Sequence, residues 1–166
     1  MKLITDKQTE RAARELIQQF EPEGRADGAD DSAVLETGVD GGILSIRITD
    51  PENPDKSIVV ETPLDPDAEE TVLNQEQQIK RALYDVLSEY HGRTLPWGIL
   101  TGVKPVRFYK KTKEHFPDQD TEKILTESCR ISHDNAALAA EISRIQEPVL
   151  EQRKARSLSL YVGIPV

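Results

Sequence analysis

Ala33-Val34-Leu35-Glu36-Thr37-Gly38-Val39-Asp40-Gly41-Gly42-Ile43-Leu44-Ser45-Ile46-Arg47-Ile48-Thr49 is the stretch that decides the fold class. Leu44, Ile46 and Ile48 alternate with Ser45, Arg47 and Thr49, the period of a strand with one buried and one wet face. The spacing predicts strands at 33–37 and 43–49. Asp40-Gly41-Gly42 between them is a hairpin signal, because a tight turn needs residues that accept positive φ. Asp50-Pro51-Glu52-Asn53-Pro54-Asp55 then reads as a second turn, and Ser57-Ile58-Val59-Val60-Glu61-Thr62 as a third strand. Three antiparallel strands are too small to stand bare, so helices must cover one face.

Two flanking helices fit that need. Residues 5–20 read as an amphipathic helix, with Thr5 as N-cap, Gln8 completing a capping box, and Ala12, Ala13, Leu16, Ile17 and Phe20 on one face. Pro22 and Gly24 end it, and 21–32 reads as loop. Residues 70–90 carry the stripe Ile79, Leu83, Val86, Leu87 and Tyr90, with His91-Gly92 as the stop. After a turn-rich connector at 93–103, helices are expected at 105–115, 121–130 and 133–147. The last has Ser132 as cap, Leu138, Ile142 and Ile145 on one face, and Pro148 as breaker or kink. Ser157 to Gly163 reads as an apolar strand near the end of the chain. The expectation is an α+β chain: a small antiparallel three-stranded sheet with two covering helices (1–92), a three-helix subdomain (93–152), and an orphan strand (153–166) short of its partners.

Composition narrows the function. The chain has 166 residues and a formal charge of −9. Residues 1–70 hold 18 acids and 7 bases, whereas 71–166 hold 12 acids and 14 bases. A net-acidic chain is a poor general ligand for nucleic acid. No apolar run suggests a membrane span, and no signal-peptide core opens the sequence, so a cytoplasmic address is expected.

Candidate chemistry is sparse. His91, His115 and His133 stand apart from other ligand types, so no metal site is expected. Cys129 is the single cysteine and reads as a semi-buried, inert thiol. Asp27-Gly28-Ala29-Asp30-Asp31 lacks the spacing of a calcium loop, and Gly98 to Lys104 lacks that of a phosphate loop. No catalytic residue is assigned. The segment 104–113 carries Lys104, Arg107, Lys110, Lys111 and Lys113 without an acid. It reads as a solvated helix face, a surface docking the acidic half or a partner, or a phosphate or RNA contact.

Leu95-Pro96-Trp97-Gly98-Ile99-Leu100-Thr101-Gly102-Val103-Lys104-Pro105 holds the only tryptophan. It reads either as a shaped turn with Trp97 plugging the gap between subdomains, or as a surface for a partner or substrate. Together with Leu160-Tyr161-Val162-Gly163-Ile164-Pro165 it resembles the N-terminal region of bacterial radical S-adenosylmethionine proteins similar to oxygen-independent coproporphyrinogen III oxidase (coproporphyrinogen dehydrogenase). The resemblance covers most of the chain in order and spacing and is sharp in those two motifs. It implies that the strand carrying Tyr161 opens a catalytic barrel and that Tyr161 contacts S-adenosylmethionine. It also implies that Cys-x-x-x-Cys-x-x-Cys, holding a 4Fe-4S cluster, begins where this sequence ends. Gly163 stands where the oxidases have His, and Val166 where the family usually has Phe. The resemblance further implies an oxidoreductase of haem (porphyrin) biosynthesis acting on a tetrapyrrole, with this chain as its accessory N-terminal domain, inactive alone and partnered by its own barrel. The competing expectation is a self-contained interaction or RNA-binding module built on the basic helix 104–113.

Overall fold

The computed structural model describes residues 1–21, 33–66, 73–101 and 104–151. The strand expected at 157–163, Tyr161, the Asp27–Asp31 string and Gly102-Val103 lie outside the described residues.

The hairpin forms as the alternation requires. Strands β2 (Val34–Asp40) and β3 (Ile43–Thr49) pair antiparallel, with Asp40 opposite Ile43. That register leaves Gly41 and Gly42 as the two turn residues, at φ +53° and +81°. Both angles match the turn that follows the right-handed strand twist. A 3₁₀ turn at Pro54–Lys56 then returns the chain to β4 (Ile58–Pro63), antiparallel to β3. Asp50 shapes this second turn by accepting from the backbone N–H groups of Glu52 and Asn53, both at 3.0 Å.

The sheet has four strands, not three, and it is mixed. Strand β1 (Lys2–Thr5) adds to the edge of β2 in parallel, with Lys2 opposite Val34 and Thr5 opposite Thr37. Thr5 therefore ends a strand and does not cap a helix. Helix α1 starts later, at Glu10, and runs to Phe20. Asp6 makes the change of direction. Its Oδ1 accepts from the backbone of Gln8 (3.0 Å) and Thr9 (2.8 Å) and from the Thr9 hydroxyl (2.8 Å), while Oδ2 accepts from Val39 N–H on β2 at 2.7 Å. One carboxylate thus starts α1 and pins it to the sheet. Partial burial pushes its pKa up, but these four donors outweigh that and hold it below the ordinary 3.8. Replacing Asp6 by Ala should cost about 2 kcal/mol, the upper range for a lost cap, read as a lower midpoint in urea unfolding. Asp6→Asn should recover part of that cost.

Helix α2 (Gln75–His91) begins after Asn74, which forms a reciprocal capping box with Gln77, and ends on Gly92 at φ +62°. Helices α1 and α2 lie side by side on one face of the sheet. Ala13, Leu16, Leu83 and Leu87 from the helices meet Leu35, Leu44, Ile46 and Ile48 from the strands, and all are buried. The other face shows Ser45, Arg47, Val59 and Glu61 to solvent.

Helices α3 (Pro105–His115), α4 (Thr121–Glu127) and α5 (His133–Glu151) follow. Tyr109, Leu125, Ala136 and Ala139 of these helices, with Cys129 and Ile131 of the α4–α5 turn, are buried in the same hydrophobic cluster as the sheet. Helix α4 stops at Glu127, short of the expected 130, because the chain turns through Arg130 at φ +59°. Helix α5 runs through Pro148 to Glu151, so that proline does not break it. Its inward face is lined by small residues. Ala136, Ala139 and Ser143 are buried, whereas Leu138 is 44% exposed and Ile145 59%. Small side chains let α5 approach α3 closely, which turns the large ones outward. The α+β class holds; the three-stranded antiparallel sheet is replaced by a four-stranded mixed one, because a four-residue edge strand carries too little alternation to be read alone.

Candidate functional site

The segment Leu95–Thr101 is the joint of the molecule. It leaves α2 and crosses in front of the turn between α4 and α5. Tyr84 on α2 holds its start: the hydroxyl accepts from Leu95 N–H at 2.9 Å and lies 3.3 Å from Leu95 C=O. Pro96 C=O accepts from Ser132 N–H at 3.1 Å and from Asn135 Nδ2 at 3.0 Å, so the N-terminus of α5 is tied to it. Ile99 N–H donates to Cys129 C=O at 3.0 Å. Gly98 lies between these ties at φ +54°, where an added Cβ would sit 2.1 Å from Cys129 O. Only glycine allows that approach.

The far end of the segment is held by charge. Lys80 of α2 is only 7% exposed. Its Nζ donates to Glu15 Oε2 of α1 at 2.7 Å and to Thr101 Oγ1 at 3.0 Å. Thr101 Oγ1 donates to the same carboxylate oxygen at 2.6 Å. Arg11 Nε reaches the other oxygen at 2.9 Å, and Glu76 flanks Lys80 at 3.5 Å. Partial burial raises the Glu15 pKa, but hydrogen bonds from Lys80, Thr101 and Arg11 outweigh it and bring it from 4.5 to about 2. Three parts of the chain therefore meet at one carboxylate. All three groups spend their polar valences on each other, which suits a latch and leaves no group poised as a base or nucleophile.

Beside the latch lies an open cleft of about 590 Å³. Glu15, Gln18 and Gln19 of α1 form one wall; Leu95, Pro96, Trp97 and Thr101 form the other. Trp97 is half-buried and packs against the core with its neighbour Leu95. The shaped-turn reading of this segment thus has a concrete form.

The other singled-out residues fall elsewhere. His91 stacks on Phe20 at 5.4 Å and has Glu21 at 3.7 Å. His115 packs edge-on to Phe116, and His133 opens α5 at the surface. Among the described residues no three His, Cys, Asp or Glu side chains gather as a metal site. Cys129 is fully buried, and burial pushes its thiol up to about 12. It should react with a thiol reagent only on unfolding, as a titration in buffer and in guanidinium will show. Gly98 is packed against the backbone of Cys129 and Arg130, and its N–H donates to Leu95 C=O at 3.1 Å. In the basic segment, Lys104, Arg107, Lys111 and Lys113 are exposed, but Tyr109 is buried and Phe108 half-buried in the core. Tyr109 offers no free face for a base, and Phe108 is partly covered.

The Glu15–Lys80–Thr101 latch has only a faint mark in the sequence. Lys80 follows Ile79 and precedes Leu83 and Tyr84 by three and four residues, which puts a lysine inside an apolar stripe. Its partners lie 65 and 21 residues away. Comparisons of the chain with protein-family models, with curated proteins and with solved structures return no match.

Proposed function

We propose that this chain is the N-terminal accessory module of a radical S-adenosylmethionine enzyme of the coproporphyrinogen dehydrogenase type. The intact enzyme would remove two propionate carboxyl groups oxidatively, leaving vinyl groups on a tetrapyrrole in haem synthesis. The observation that carries the reading is the pairing of two motifs, Leu95–Pro105 and Leu160–Pro165, in one chain. The first of them is spent on internal ties, as an accessory module requires.

The residues present do not fit the iron–sulfur group. A cluster bound through three thiolates needs three cysteines, and this sequence has one, buried and protonated at neutral pH. No step of the reaction is therefore assigned to this chain. Its own residues build a rigid platform, and Tyr161 is the one position proposed to meet the cofactor. No described helix is long and apolar enough to cross a membrane.

The test starts with the coding sequence after Val166. Cys-x-x-x-Cys-x-x-Cys should follow at once, and the longer protein, reconstituted anaerobically with iron and sulfide and reduced with dithionite, should split S-adenosylmethionine into methionine and 5′-deoxyadenosine. A stop codon there, or a reconstituted protein that leaves the cofactor intact, overturns the reading. The competing RNA-binding module loses support from the burial of Tyr109, which leaves the partly covered Phe108 as the aromatic of that helix. It requires binding that is strong at about 50 mM salt and falls steeply above it. Filter binding of a single-stranded RNA should show no such signal.

A further inference from the structure

The cations of residues 104–113 are unspent. Among the described residues, Lys104, Arg107, Lys110, Lys111 and Lys113 close no ion pair, and neither does Glu114, the acid that follows them. Elsewhere on the surface Arg14 holds Glu10 at 2.9 Å, Arg130 holds Asp85 at 2.8 Å and Lys123 holds Glu127 at 3.9 Å. Lys104, Arg107 and Lys111 are exposed and fall at i, i+3 and i+7, so they make one stripe along α3, away from the buried Tyr109 and Thr112. Lys113 lies off that stripe, in a cleft it shares with Glu122, Glu141 and Glu147. We propose that the stripe is a docking surface for another protein, one that presents a helix with carboxylates at matching spacing.

Three observations carry the assignment. The first is strain in the charge pattern. Arg107 stands three residues from Lys104 and four from Lys111, spacings at which like charges on a helix repel. Lys104 is the N-cap of α3 and Arg107 lies in its first turn, where the helix dipole disfavours cations. No side chain caps that end, and no acid stands in the first turn. The isolated fold gains nothing from this pattern, and an anionic partner relieves it. The second is geometry. Lys104 to Lys111 spans about 10 Å, the rise over which a facing helix brings carboxylates at i, i+3 and i+7 level with them. The third is what surrounds the stripe. Tyr109 is buried and Phe108 half-buried, so the helix lacks the open aromatic pair on which nucleic-acid bases stack. Carboxylates need no such platform. The acidic residues 1–70 repel the same partner and so orient its approach toward α3. This docking depends on no barrel and no cluster.

The test uses the full chain and a labelled, alanine-based helical peptide with glutamate at i, i+3 and i+7. Fluorescence anisotropy at about 50 mM salt should show binding that weakens as salt is raised. The changes Lys104→Glu, Arg107→Glu and Lys111→Glu together should weaken it at least about tenfold. Lys7→Glu, Arg14→Glu and Arg47→Glu alter the net charge equally at three other exposed cations. They should leave the affinity within about twofold, because distant surface charges are screened. Equal losses in the two triple variants, or a parent chain that does not bind the peptide, overturn the proposal. The stripe variant should melt no lower than the other triple variant, since α3 sheds like-charge repulsion. A lower midpoint makes the stripe part of the fold and overturns the proposal. Poly(U) RNA that binds more tightly than the peptide through the same three residues assigns the surface to nucleic acid. A dimer of the parent chain, seen by light scattering and dissolved by the stripe changes, assigns it to a second copy. Either result overturns the proposal.

Discussion

Gly98→Ala should destabilise the fold by about 4 kcal/mol, combining left-handed backbone strain with an overpacked contact. The new Cβ would lie 2.1 Å from Cys129 O and 2.5 Å from both Arg130 C and Arg130 O, at φ +54°. Backbone cannot swing aside as a long side chain can. Relief would require moving the α4–α5 turn, and with it the hydrogen bonds from Ser132 and Asn135 to Pro96. Domains of this size hold about 5–15 kcal/mol in all, so the loss is a large share. The melting midpoint should fall by about 10 °C. Gly92→Ala is the control. Gly92 has a similar φ of +62° but open space around it, so its cost should stay near about 1 kcal/mol. Equal midpoints for the two variants in thermal unfolding would show that the tie at Gly98 does not bear on stability.

Breaking the latch should have the second large effect. Lys80→Ala leaves Glu15 with Arg11 and the Thr101 hydroxyl, and removes the ammonium that joins α2 to both. Removing one partner of a fully buried ion pair costs about 3–5 kcal/mol; here Glu15 is 30% exposed and keeps Arg11, so the loss should be about 2 kcal/mol. Replacing both members, as in Glu15→Gln with Lys80→Met, should cost less than Lys80→Ala, because no partly desolvated carboxylate is left without its ammonium and the methionine fills the buried lysine's space. The pH dependence has a definite sign. Glu15 titrates near 4.5 when unfolded and near 2 when folded. The unfolded chain therefore takes up the proton first, and the stability that Glu15 supplies is complete above about pH 4.5. It drains away as pH falls from about 4.5 through about 2. In Glu15→Gln, the loss of stability over that window should be smaller than in the parent chain. Urea midpoints at several acid pH values will measure it, and an unchanged slope would remove Glu15 from the account.

Both variants act on one segment, and this ties stability to the functional proposal. Leu95–Thr101 joins α1, α2 and the α4–α5 turn through Glu15, Tyr84 and Cys129. A module that must present α5 and the chain beyond it in a fixed direction needs such a joint.

The sequence by itself determined the elements that have a period or a punctuation mark. The β2–β3 hairpin was legible because its alternation and Gly41-Gly42 act within a few residues of each other. The same holds for α2, with its apolar stripe and Gly92 stop, for α3 after Pro105, and for the inert character of Cys129. Tertiary structure alone decided the rest. Strand β1 exists because β2 offers it an edge 32 residues away in sequence, at Lys2 opposite Val34. The start of α1 moved because Asp6 found Val39 N–H across the sheet. The inward face of α5 went to Ala136 and Ala139, since the distance to α3, not the hydropathy of α5, chose which side chains fit. The latch required three segments to meet at Glu15, and a local pattern holds no record of a partner 65 or 86 residues away. Periodicity reports how a segment divides its own surface between oil and water; which neighbour receives each side is settled only when the whole chain is packed.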